Sequence, residues 1–210
     1  MLRKLILTSA IALALAACAD RTSTESTMPA SQTTAPASGD NVLLAESTLP
    51  FQAPAFDKLK DGDYQPAIEE GMKRHLAEIR EIADNDEAPT FANTIEAMER
   101  SGALLTRATS VFFALAGANT NDTLQAAEEA LSPKLAEHSD AIHLDPKLFA
   151  RVKTLYDQRE LLGLDAEQKV LIEHYQRNFE RAGALLSDAD KAELRKLNSE
   201  ESSLSTAFGN

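Results

Sequence analysis

From Tyr64 to Phe208 the apolar residues of this 210-residue chain return every three or four positions, and nowhere do they alternate with period two long enough to make a strand. A helix repeats every 3.6 residues and a strand every two, so this pattern commits the chain to an all-α fold. Ile68, Met72, Leu76, Ile79 and Ala83 share one face of a helix from about Tyr64 to Ala83, with Asp63 as its N-cap. Gly71 in the middle weakens that helix by roughly 1 kcal/mol relative to Ala, so either a neighbour packs close there or the helix is simply tolerant.

The next segment, APTFANTIEAMERSGALLTRA, places Thr90 as an N-cap after Pro89, Phe91, Ile95 and Met98 on one face, and Ser101-Gly102 as a corner. Val111, Phe112, Phe113 and Leu115 make the helix beyond the corner apolar on most sides, which predicts an interior position. Residues 119–122 break the chain and cap a long helix from about Thr123 towards Ile142, which Pro133 should kink or divide. Asp145-Pro146 starts a helix with Leu148, Phe149, Val152, Leu155, Tyr156 and Leu162 buried, stopped by Gly163. Asp165 starts another that carries Val170, Leu171, Tyr175, Phe179 and Ala182 and halts near Gly183. The link at Gly163-Leu164 is short enough to fold these two into an antiparallel hairpin. Ser187-Asp188 opens the last helix, with Leu194, Leu197, Leu204 and Phe208 as its apolar stripe.

The N-terminus is of another kind. Arg3-Lys4 precedes an apolar run of about thirteen residues that ends in Leu15-Ala16-Ala17-Cys18, the pattern of a secretory signal over residues 1–17. Its ending resembles a bacterial lipobox, in which the chain's one cysteine, Cys18, becomes the lipidated first residue of the mature protein. An ordinary signal peptide with Cys18 as a bystander thiol is the alternative. Lipidation implies a membrane association by anchor alone and a place in the cell envelope facing the periplasm, with Ala19 pointing to the outer membrane. Residues 18–40 are rich in Ser, Thr, Ala and Pro and have too little apolar surface to offset the entropy of ordering, so they are expected to be a disordered tether. A folded region of residues 41–210 follows, entered through an extended lead-in around Pro50 and Pro54.

A formal net charge of −12 argues against nucleic acid as a partner, since phosphate backbones call for clustered Lys and Arg. No window of eighteen or more apolar residues suggests a spanning helix. The catalytic inventory is empty: no residue is assigned as catalytic or as a metal ligand. The four histidines, His75, His138, His143 and His174, are not paired at the i, i+4 spacing that places two imidazoles on one helical face, and they read as surface or satisfied side chains. Glu173-His174 is half a zinc motif without its second His. The pairs Glu69-Glu70, Glu128-Glu129 and Glu200-Glu201 point about 100° apart on a helix and read as solvated faces.

Specific wording adds what composition does not. NVLLAESTLPFQAPAFDKLKDGDYQPAIEEGM, EIREIADNDEAPTFANTIEAMERSGALLTRA, LFARVKTLYDQRELLGLDAEQKVLIEHYQRNFERAGALLS and DKAELRKLNSEESSLSTAF together resemble the N-terminal part of the peptidyl-dipeptidases in the thimet oligopeptidase family of zinc metallopeptidases. The resemblance implies a helical enzyme split by a deep channel, with zinc held by a His-Glu-x-x-His helix and a further Glu, acting on the C-termini of short peptides. Those ligands lie downstream in the family. The chain ends in Phe208-Gly209-Asn210 before reaching them, so this region is expected to be channel wall, inactive and free of zinc by itself, with the missing catalytic region as its partner. An oligopeptidase A-like endopeptidase fragment, or a non-catalytic helical lipoprotein that binds a partner, are the competing readings.

Overall fold

A computed structural model of the protein describes residues 41–209, and the signal sequence, Cys18 and the tether of residues 18–40 lie outside the described residues. The lead-in carries single helical turns at Val42–Leu44, Pro50–Gln52 and Asp61–Asp63, and then the helices begin: α1 is Tyr64–Ala83. A wide π-type turn, Phe91–Glu96, runs into α2, Ala97–Arg100, and the chain then follows α3 (Ala103–Ala118), α4 (Asp122–His143), α5 (Pro146–Gln158), α6 (Ala166–Arg181) and α7 (Asp188–Gly209). No strand occurs among the described residues, so the all-α class stands.

Most helix starts follow local chemistry. The Asn121 carboxamide accepts from the Thr123 and Leu124 amides, Asp145 accepts from Lys147 and Leu148, and Asp165 and Thr90 form capping boxes with Gln168 and Asn93. Asp63 departs from its expected role. Its backbone is already helical, and its carboxylate turns back to accept from the Lys60 amide at 2.9 Å, closing the Asp61–Asp63 turn instead of capping α1. Pro133 does not divide α4, which runs unbroken through it.

By length and mean hydropathy, Phe91–Ala118 reaches the level of a membrane-crossing segment, although polar and charged residues interrupt its apolar ones. It is not one straight helix. Ser101 is extended (ψ 159°) and Gly102 left-handed (φ 71°), so the expected corner is real and the two pieces leave it in different directions.

Two buried clusters hold the helices together, and α1 serves both. Its first half, with Tyr64, Ala67, Ile68 and Met72, packs against Ala108, Val111 and Phe112 of α3 and Leu124, Ala127 and Leu131 of α4. Its second half, with Ile79 and Ile82, joins Ile95, Met98, Ile142 and the buried faces of α5 and α6. Gly71 permits the first of these contacts: a Cβ there would lie 2.8 Å from the Leu105 Cα, so the two backbones touch. Phe149, near the start of α5, stacks on Phe179, near the end of α6, at 5.9 Å, which makes the α5–α6 pair the antiparallel hairpin expected.

Several apolar residues do not sit where periodicity placed them. Leu162 falls in the turn after α5 and is exposed, as are Val170 on α6 and Phe113 on α3. The largest departure is α7. Its inward stripe is Lys191, Leu194, Asn198, Ser202 and Thr206, joined to α4 by Asn198 Nδ2 donating to Asp140 Oδ1 at 2.7 Å and Thr206 Oγ1 donating to Ser132 Oγ at 2.6 Å. Leu197, Leu204 and Phe208 face solvent, with Phe208 95% exposed. A single helix can carry two stripes of the same period, and the period does not say which one is covered.

Candidate functional site

The Ser101-Gly102 corner is where polar side chains from distant parts of the chain converge. Gly102 holds φ 71°, a backbone state that residues with a Cβ enter at a cost, and a Cβ there would also meet His75 Nδ1 at 2.9 Å. Its amide donates to Glu78 Oε2 at 2.7 Å, so a carboxylate from α1 stands at the positive end of α3. Beside it, His75 on α1 and His138 on α4 face each other with Nδ1 and Nε2 3.0 Å apart.

The hydrogens of this chain of groups can be assigned by elimination. Ser101 Oγ donates its one hydrogen to the Met98 carbonyl at 2.7 Å, so it accepts from His75 Nε2–H at 3.1 Å. His75 Nδ1 is therefore bare and accepts from His138 Nε2–H. That leaves His138 Nδ1 bare, buried and without a protein partner. Burial holds both imidazoles neutral: it lowers the pKa of His75 against a smaller opposing pull from Glu78, and it takes His138, 8% exposed, down to about 4, with repulsion from His75 and His143 adding to the effect. The reading of all four histidines as surface or satisfied is thus corrected for His138. No sequence signal foretold the pair, because its members lie 63 residues apart on different helices.

A second buried polar group fixes the approach to the corner. Arg151 of α5, 6% exposed, donates through Nη1 to the carbonyls of Asn85 and Glu87 and through Nη2 to Asn93 Oδ1. Asn93 in turn closes the capping box with Thr90, so α5 pins the loop and the π-type turn together. Tyr175 of α6 ties the same region from outside, its hydroxyl donating to Glu99 at 2.6 Å; burial and that carboxylate raise its pKa.

These groups position helices, and they do not assemble a nucleophile, a base and an orienting partner around open space. They also do not fit zinc. His75 Nδ1 and His138 Nε2 are spent on each other and His75 Nε2 on Ser101, which leaves His138 Nδ1 as a single free donor atom, and among the described residues no group of three or more His, Cys, Asp or Glu could hold a metal ion. His143 rests against Phe179, and His174 bonds to Asn178. A cavity of about 290 Å³ opens beside the lead-in, lined by Leu43, Leu49, Gln52, Leu59, Arg107 and Val111, where the Arg107 guanidinium donates to the Leu43 carbonyl. Cys18 lies outside the described residues.

No protein-family model matches the chain. Among curated proteins, 168 residues, 80% of the chain, are 49% identical to a dipeptidyl carboxypeptidase of Escherichia coli (strain K12), and 48% identical to one of Salmonella typhimurium (strain LT2). The chain spans about a quarter of the length of these curated relatives, 25% in each case. The resemblance to peptidyl-dipeptidases read from the sequence therefore stands, over a stretch that makes up one quarter of such proteins.

Proposed function

We propose that this chain is the helical N-terminal region of a zinc peptidyl-dipeptidase that releases dipeptides from the C-termini of short peptides. The observation that carries the reading is the 49% identity over 168 residues to a dipeptidyl carboxypeptidase. Identity at that level across most of a chain supports a shared fold and a shared part in the parent activity. That both relatives are dipeptidyl carboxypeptidases favours dipeptide release over endopeptidase action. In this reading the helices supply wall for the substrate channel, and the zinc and its ligands belong to the three quarters of the relatives' length that has no counterpart here. The chain itself hydrolyses nothing and binds no zinc tightly. Its place is the cell envelope, held by lipid on Cys18.

The reading frame beyond codon 210 tests this directly: it should continue into a His-Glu-x-x-His helix. A stop codon directly after Asn210 in an otherwise intact gene would instead support a free-standing helical lipoprotein. Chelator-sensitive peptidase activity from the purified chain alone would overturn the assignment of the chemistry to the missing part. Loss of a lipid mass increment in Cys18→Ser, with the increment present in the wild type, is the expected sign of the anchor.

A further inference from the structure

We infer that Phe51, presented by a left-handed knuckle in the lead-in, is a plug that docks this region onto the remaining three quarters of the peptidase. The inference rests on the proposed function and adds to it the contact that joins the two parts. Phe51 (φ 59°) and Gln52 (φ 55°) are consecutive non-glycine residues in the left-handed region, which crowds Cβ against the backbone. The knuckle is nevertheless well determined. Ser47 Oγ donates to the Ala53 carbonyl at 2.6 Å, the Leu49 amide donates to Ser47 Oγ at 3.2 Å, and the Gln52 and Ala53 amides close turns onto Leu49 and Pro50. Pro50 and Pro54 restrict the backbone on either side.

What this scaffold presents is an aromatic ring that nothing among the described residues covers: Phe51 is 103% exposed, with Phe56 at 60% and Leu49 at 44% nearby in sequence. Holding a strained loop in order to keep a benzyl group in water stabilises nothing in the isolated chain. It does so only when the ring leaves water in a partner. The chemistry of that partner follows from the lead-in itself. Residues 47–56 carry no charged side chain in a protein that is 26% charged, and charge depletion around aromatic residues marks the centre of an apolar, lasting interface. The occupant is then an apolar recess on the part that the relatives possess and this chain does not match, three quarters of their length. The stripe of α7 is a weaker candidate for the same role, since Glu193, Glu200 and Glu201 interrupt it.

The test is a reversal of sign. Phe51→Asn keeps a residue that tolerates the left-handed state and removes the ring. In the chain alone this relieves strain, so Tm should rise by about 1–4 °C. In a chimera that continues this chain with the unmatched remainder of the Escherichia coli relative, the same change should lower Tm. If the chimera does not fold, the two parts mixed as separate chains are followed by sedimentation, where Phe51→Asn should weaken association by roughly ten- to a hundredfold, the loss expected for one buried phenyl group. A rise in Tm in both contexts, equal association of variant and wild type, or no association of the wild type overturns the docking role. So does a concentration-dependent self-association of this chain that Phe51→Asn abolishes, which would make a second copy the occupant. Failure of the proposed function reads differently: a folded chimera that releases no dipeptides from short peptides.

Discussion

Replacing His138 with Gln removes the one group in the corner whose charge state is most strongly displaced, while a carboxamide N–H can still donate to His75 Nδ1. The folded His138 titrates at about 4 against an ordinary value of 6.5, so between those values the unfolded chain binds a proton that the native chain refuses. The sign follows: the native state has its full advantage above pH 6.5, loses it as pH falls towards 4, and loses no more below that. Between pH 7.5 and 4.5 the linkage amounts to about 2.5 kcal/mol for this residue, at 1.36 kcal/mol per unit of displacement. His75 is displaced in the same direction, so the useful quantity is the difference between wild type and variant. Urea unfolding followed by circular dichroism at pH 7.5, 6.0 and 4.5, at constant ionic strength, supplies it. The wild type should lose about 2–3 kcal/mol more than His138→Gln over that span. Parallel loss in the two proteins would refute the assignment of a neutral, buried His138 with a bare Nδ1.

Other expectations concern the scaffold. Gly71→Ala should destabilise by about 1–3 kcal/mol in urea unfolding despite the better helix propensity of Ala, because the new methyl meets the Leu105 backbone at 2.8 Å. Arg151→Lys leaves an ammonium in place of the fork that spans Asn85, Glu87 and Asn93; a loss of about 1–3 kcal/mol and faster amide exchange across residues 85–94 are expected. The α7 stripe gives the opposite outcome: Leu197→Ser and Leu204→Ser should each change the stability of this chain by no more than about 0.5 kcal/mol and reduce its binding of a hydrophobic dye, whereas Phe179→Ala, in the core, should cost about 3–5 kcal/mol.

The helix starts were legible because their causes are local. A cap at Asn121, Asp145 or Asp165 needs only a side-chain oxygen and an amide two or three residues later, and that geometry is encoded in adjacent letters. The corner at Ser101-Gly102 is of the same kind, since glycine there answers a backbone requirement. The likeness to peptidyl-dipeptidases was also legible, through wording rather than chemistry, and identity to known proteins bears it out over the matched quarter. The polar centre at the corner was not legible. Its hydrogen bonds join residues 24 to 63 positions apart, and their partners are set by how α1, α3 and α4 cross.

The sequence by itself thus determined the class, nearly every helix and the turn at Gly102, because the 3.6-residue period and the capping contacts act within a few residues of their cause. Tertiary structure alone decided which stripe of α7 is covered. Leu197, Leu204 and Phe208 have the spacing of a core stripe and lie in water, while Asn198 and Thr206 face α4 through hydrogen bonds. Gly71 could have been mere tolerance in a helix, and only the packing of α3 against it makes it the point where two backbones meet. His138 could have been an ordinary surface imidazole, and burial opposite His75 makes it a neutral one, because the charge state of a side chain depends on what surrounds it in space.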